Sequence, residues 1–328
     1  MKPSDICHFV LNLLKTAHRI YRKRVLRKVP ARTPELYDEE RASALIYGVL
    51  SSEKPCMVAR LGAVETQAVV NYLSHIQPRH SAWKYIRGEE PQWWWDRDLM
   101  AKMENNAGFF PATEENIRRF AEMMLTDMET VDVLGSWNPN ERYVAARLHQ
   151  ASKVRLLLLE PYWTRNPWSR VLEGKRVLVV HPFAEDIISQ YTRHREHLFR
   201  DKRVLPQFAS LRVVKAVQSI GGQSAEFADW FEALDRMKQQ MDSEPYDIAL
   251  IGCGAYGFPL AAYAKRTGHK AVHLGGALQL LFGIRGKRWD KSYTADYDYS
   301  TLPNEYWIRP NPSTRNEFTS KVEGGCYW

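Results

Sequence analysis

An α/β, Rossmann-like fold, with a mainly parallel sheet and helices on both faces, is predicted from residue 35 onward, and three observations predict it. Short apolar stretches alternate with helix-like ones, glycine turns stand where several apolar stretches end, and 45% hydrophobic residues in 328 are ample for a core. The candidate strands are 56–60, 131–135, 154–160, 176–181, 211–216, 247–252 and 271–275. Ligands of open α/β sheets bind in the crevice beyond the carboxyl ends of the strands. There the chain places Arg60, Gly62 and Glu65, then Trp137, Glu160, His181 and Glu185, and finally the glycines at 252–257 and 275–276. Residues 35–328 read as one α/β domain, divisible into sub-lobes 35–150 and 151–328.

The most informative stretch is 246–289, where two strand-turn-helix units follow each other with glycines at both turns. In the first, Gly252, Gly254 and Gly257 form G-x-G-x-x-G, and Pro259 suits the start of a helix. Glycines let backbone approach a pyrophosphate, and a helix start offers unpaired N–H groups with partial positive charge. Tyr256 lies inside this turn. A dinucleotide site wants an acid roughly 20 residues on, at the end of the next strand. That strand carries His273 and ends in Gly275 and Gly276, which leaves a nucleoside-diphosphate reading ahead of a nicotinamide one. A tight turn packed for steric reasons is the plainer alternative. Gln279 then sits on a short apolar helix, and Gly283, Arg285, Gly286, Lys287, Arg288 and Trp289 make a cationic loop able to close on phosphate.

At the first strand end, Gly62 permits a tight bend and Glu65 falls one turn into the following helix, beside Arg60. A carboxylate there can hold a divalent cation on a diphosphate or take a proton from an acceptor hydroxyl. The helix dipole alone also favours an acid at that position. At the fourth strand end, His181, Glu185, Ser189 and Arg193 share one helical face. His181 is placed to donate to phosphate or shuttle a proton, and Arg193 to hold an anion with its planar fork. Among the aromatic residues, mostly core material, Trp137, Tyr256 and Trp289 stand near turns. Residues 105–113 lead into a helix with Thr113 as N-cap.

The net charge of +8 is segregated. Residues 1–34 hold nine Lys or Arg against one acid, leaving 37 of each sign in the rest. This segment spaces Phe9, Val10, Leu13, Leu14, Ala17, Ile20 and Tyr21 as a basic amphipathic helix, without the apolar length to span a bilayer or a cleavable signal. Its two readings are attachment to an anionic membrane surface and docking on the core. Nucleic-acid binding is not expected, because the neutral remainder has no second basic stripe. Cys7, Cys56, Cys253 and Cys326 have no C-x-x-C spacing, which argues against a zinc site or disulfide framework and fits a reducing cytoplasm.

The stretches 59–65 (ARLGAVE), 105–113 (NNAGFFPAT), 159–163 (LEPYW), 179–187 (VVHPFAEDI), 251–265 (IGCGAYGFPLAAYAK), 273–289 (HLGGALQLLFGIRGKRW) and 322–328 (VEGGCYW) resemble a bacterial family from polysaccharide gene clusters. That family is similar to the GT-D fold of glycosyltransferases, whose first strand ends in an Arg-x-Gly-Asp-x-Glu turn. Arg60, Gly62 and Glu65 match the turn, and Ala63 replaces its Asp. The resemblance implies a glycosyltransferase with a nucleotide-sugar donor and a glycan or polyprenyl-linked acceptor. It also implies Mn2+ or Mg2+, here reduced to Glu65 as ligand, with Arg285, Lys287 and Arg288 as alternative neutralisers of the diphosphate.

The expected enzyme is therefore cytoplasmic and peripheral on the inner membrane face, with Glu65, His181 and Glu185 in the chemistry. Arg60, Gly62, Arg193, Gly252, Gly254, Tyr256, Gly257, Gly275, Gly276, Gln279, Arg285, Lys287 and Arg288 are expected at the nucleotide and its phosphates. A methyltransferase using the same glycine turn, or a non-catalytic scaffold of a membrane glycan-assembly complex, are the alternatives.

Overall fold

The structure, a computed structural model, describes residues 3–26, 36, 38–219, 226–290, 297–315 and 325–328, with backbone alone for 3–8 and 26. Lys2, Arg27, Lys28 and Arg32, four of the nine cations of 1–34, and residues 322–324 lie outside these.

All seven predicted strands form: β1 Cys56–Ala59, β2 Val133–Ser136, β3 Ser152–Arg155, β4 Arg176–His181, β5 Ser210–Lys215, β6 Ile248–Ile251 and β7 Lys270–His273. They make one sheet in the order β3-β2-β1-β7-β6-β4-β5, and every pairing is parallel. The third strand is shorter than expected. It stops at Arg155, and Leu156–Leu159 coil into a 3₁₀ turn that lays Leu159 over Gly135, where a Cβ would meet Leu159 Cδ1 at 2.5 Å. A run of four leucines suits a buried strand or a buried helical turn equally, so this contact decided.

The helices are α1 Pro3–Tyr21, α2 Glu39–Ser51, α3 Ala63–His75, α4 Ala82–Ile86, α5 Arg97–Ala107, α6 Glu114–Met128, α7 Ala184–Leu198, α8 Trp230–Met241, α9 Gly257–Arg266 and α10 Leu278–Leu281. Strand side chains alternate between two cores, as the two-residue period requires. Met57, Leu178, Val180, Ala249 and Ile251 face α3, α5, α6, α8 and α9, while Val58, Val177, Val179, Ile248 and Leu250 face α2, α7 and α10. Strand β1 sends α3 to the first face, whereas its neighbour β7 sends α10 to the second. This divergence opens a crevice at the carboxyl ends of the central strands. Thr113 caps α6 as expected, accepting from Asn116 N–H at 3.2 Å.

Helix α1 docks on α4. Lys15 Nζ lies 3.1 Å from Asp96, the His18 ring stacks on Tyr85, and His18 Nδ1–H donates to the Tyr85 carbonyl at 2.7 Å. Its outer face keeps Phe9, Val10, Leu13 and Ile20 exposed beside Arg19, Lys23 and Arg24. Docking on the core is thus seen on one face of the helix, and the opposite face stays exposed. Among the described residues, no helix is long and apolar enough to cross a membrane.

Candidate functional site

A cavity of about 330 Å³ lies in the crevice, walled by the ends of β1, β4, β6 and β7 and by residues 106–108, 217–219 and 327–328. At the end of β1, the Arg60 guanidinium lies 5.0 Å from the centre of the Trp137 ring, and its Nη2 donates to the Leu61 carbonyl at 3.1 Å. Arg60 Nε is buried without a hydrogen-bond partner. Trp137 is held in turn by its own Nε1–H, which donates to the Leu61 carbonyl at 2.9 Å. The Glu65 carboxylate folds back over the start of α3. A Cβ on Gly62 would meet Glu65 Oε2 at 2.0 Å, so glycine at 62 is what lets the carboxylate take this place.

His181 ends β4 fully buried, and desolvation pulls its pKa down to about 3. Its Nδ1 accepts the Phe183 N–H at 3.0 Å, which leaves the single ring proton on Nε2. His181 is thus a neutral hydrogen-bond donor. The expected proton shuttle is corrected on this ground, since its basic nitrogen is occupied and its imidazolium form is suppressed. His273, at the end of β7, is the converse case. Its Nδ1–H donates to the Ile251 carbonyl at 3.2 Å, and burial, reinforced by Arg60, lowers its pKa to about 3. Its Nε2 therefore carries the lone pair.

The G-x-G-x-x-G turn divides by role. Gly254 adopts φ +59°, which requires glycine in practice. Gly252 and Gly257 are steric: a Cβ would meet the Gly275 carbonyl oxygen at 2.5 Å in the first case and the His273 ring at 2.2 Å in the second. No side chain caps α9, and Cys253, Gly254, Ala255 and Tyr256 at its start line the cavity. Tyr256 is locked in place, its ring stacked 4.8 Å from Trp230 and its hydroxyl 2.9 Å from Ser219 Oγ.

At the second turn, Gly275 has φ +61° and lies under Arg60, where a Cβ would meet Nη1 at 2.9 Å. Gln279 Nε2 donates to the carbonyls of Ile284 and Tyr327, both at 3.1 Å, leaving its buried Oε1 without a partner. The cationic loop splits. Arg288 faces the cavity, 4.8 Å from the centre of the Tyr327 ring, with Nη1 donating to the Tyr327 hydroxyl at 3.0 Å. Arg285 instead pairs with Asp290 at 3.3 Å, and Lys287 is exposed.

Several expected site residues thus sit elsewhere. Glu185 is 73% exposed at the start of α7, 3.5 Å from Lys215. Arg193 is exposed on the same helix, because the face it shares with Glu185 turns to solvent. Gly257 packs behind His273, and Trp289 belongs to a small core with Leu280 and Tyr299. Arg60, Gly62, Glu65, His181, Gly252, Gly254, Tyr256, Gly275, Gly276, Gln279 and Arg288 all line the cavity. Among the lining residues that were not singled out from the sequence are Tyr327, Trp328 and Gln218. The signal for the first two was an aromatic pair following two glycines. For Gln218, whose Nε2 is buried without a partner, there was none.

Arg60 and Arg288 lie near enough to repel each other, and Glu65 acts on Arg60 with the opposite sign. Both guanidinium groups and the start of α9, which no side chain caps, line the same cavity. The donors do not form a resident metal cage. Glu65 is the one acidic side chain lining the cavity among the described residues, and these contain no cluster of three or more His, Cys, Asp or Glu side chains suited to a metal.

The fold and this crevice define the chain as an α/β protein with a cavity, lined by Arg60 and Arg288, at the carboxyl edge of its sheet. Compared with known proteins, it matches no protein-family model, no curated protein and no solved structure.

Proposed function

We propose that the chain is a glycosyltransferase that moves a sugar from a nucleoside-diphosphate donor to a surface-glycan or lipid-linked acceptor. The observation that carries this reading is the convergence of Arg60, Arg288 and the start of α9, which no side chain caps, on one cavity that also holds the Glu65 carboxylate. The GT-D-like turn of Arg60, Gly62 and Glu65 gives the reading its reaction type.

In this reading the diphosphate lies between the two guanidinium groups and the α9 N-terminus, with His181 Nε2–H donating to one of its oxygens. The bond from the sugar's anomeric carbon to the diphosphate oxygen breaks as the acceptor oxygen bonds to that carbon. The acceptor hydroxyl gives its proton to Glu65, and the negative charge left on the nucleoside diphosphate is held by Arg60 and Arg288. These cations take the part that a divalent metal plays where an Asp-x-Glu pair is present. The exposed face of α1, with Phe9, Leu13 and Ile20 between Arg19, Lys23 and Arg24, would rest on anionic lipid near a polyprenyl-linked acceptor.

A methyltransferase is disfavoured by neutral His273 where an adenosine cofactor wants an acid at the strand end. A thermal-shift panel of nucleoside diphosphates and nucleotide sugars, with and without Mn2+ or Mg2+, and with S-adenosylmethionine, tests the proposal. A rise in Tm with one nucleotide sugar, lost in Arg288→Ala, supports it. A flat response to every nucleotide moves the scaffold reading forward, and a rise with S-adenosylmethionine alone replaces it with a methyltransferase.

A further inference from the structure

Residues 325–328 reach the cavity from a distant part of the chain and are knitted into it at several points. The Lys287 N–H donates to the Trp328 carbonyl at 3.2 Å and the Arg288 N–H to the Cys326 carbonyl at 2.9 Å. Gln279 holds the Tyr327 carbonyl, and Trp328 Nε1–H donates to Thr314 Oγ1 at 2.9 Å while its ring meets Phe183 edge-on at 5.3 Å. Two glycines make room for this segment. A Cβ on Gly276 would strike the Tyr327 ring at 2.1 Å, and one on Gly286 would strike the Tyr327 carbonyl oxygen at 2.5 Å.

The outcome is a tyrosine fixed by its ring and its backbone, with its hydroxyl on Arg288 Nη1. An arginine side chain has many rotamers, and ordering one costs free energy that a prearranged partner removes before a ligand arrives. Arg60, which lines the same cavity, faces the same problem and solves it with Trp137.

We infer that Tyr327 is a positioning residue that presents the Arg288 guanidinium to one phosphate of a diphosphate, as Trp137 orders Arg60. The inference rests on the proposed diphosphate site and deepens it. Tyr327 acts through Arg288, so its hydroxyl matters for the second phosphate of a ligand and little for a single one.

Calorimetric titration with inorganic pyrophosphate and inorganic phosphate tests this on the full chain, independently of which nucleotide is used. In Tyr327→Phe the ring still fills its place, so Tm stays at the wild-type value while pyrophosphate affinity falls about tenfold, the scale of one hydrogen bond to a charged group. Phosphate affinity changes less than threefold. In Arg288→Ala the further change to Tyr327→Phe adds nothing, because both act on one contact. Equal loss for both anions, an unchanged pyrophosphate affinity, or additive losses in the double variant would overturn the inference while leaving the diphosphate site intact. Failure of the wild-type protein to bind pyrophosphate would overturn both.

Discussion

Glu65 and Glu160 both stand on the carboxyl side of the sheet, and the structure gives them opposite surroundings. Glu65 lines an open cavity beside Arg60. Glu160 is enclosed, accepting from Trp163 Nε1–H at 2.8 Å and from the Tyr299 hydroxyl at 2.8 and 3.0 Å, and burial raises its pKa to about 7 despite these donors. An acid whose oxygens are consumed by neighbouring side chains holds a fold together. Glu65 lies among no such set of donors in the described residues and turns to the cavity beside a cation. The side of the sheet is shared, and the supply of partners separates the two surroundings.

The largest expected effect breaks the comparison at Glu65. Glu65→Gln is expected to lower the rate of sugar transfer by about 10²–10⁴, the range for a general base, with Tm unchanged. Gly62→Ala should produce much of the same loss by pushing the carboxylate aside, because the obstructed atom is the end of a flexible side chain. An active Gly62→Ala variant would show that the carboxylate's folded-back position is immaterial.

Glu160→Ala should do the reverse. It removes the acceptor of the Trp163 and Tyr299 donors and is expected to cost about 2–6 kcal/mol of stability in chemical denaturation, at about 1–3 kcal/mol for each of the two donors. Turnover of the folded fraction should remain near wild type.

Stability against pH sharpens the contrast further. Glu160 has its pKa raised on folding, so its contribution is full below about pH 4.5 and is lost as pH rises towards about 7. His181 and His273 have theirs lowered from 6.5 to about 3, so their contribution is present above pH 6.5 and is lost as pH falls through that window. In Glu160→Gln the denaturation midpoint between pH 4.5 and 7 should therefore rise more steeply with pH than in wild type. An identical slope would mean that Glu160 ionises normally. The smallest effect is expected at His181. As a neutral donor it should contribute no limb to the pH–rate profile above pH 5, and a limb that vanishes in His181→Asn would restore it as a proton carrier.

Much of this molecule was readable in advance. The short apolar stretches marked all seven strands, and the glycine turns marked the edge of the sheet where the cavity lies. The cationic loop was readable only as a group. Arg285, Lys287 and Arg288 are near neighbours in sequence, yet the 3₁₀ turn Lys287–Trp289 directs Arg288 inward and leaves Lys287 in solvent. Glu185 and Arg193 share a helical face, as their spacing required, but spacing does not say whether that face meets the cavity or water.

Local order along the chain was enough to set the strands, the helix caps and the phosphate-like turns, because backbone geometry there depends on a few consecutive residues. Packing between distant segments chose which charges meet in the cavity. Tyr327 reaches Arg288 from 39 positions away, and Trp137 reaches Leu61 from 76. Such partners carry no fixed spacing, and burial and shape select them after the sheet has formed.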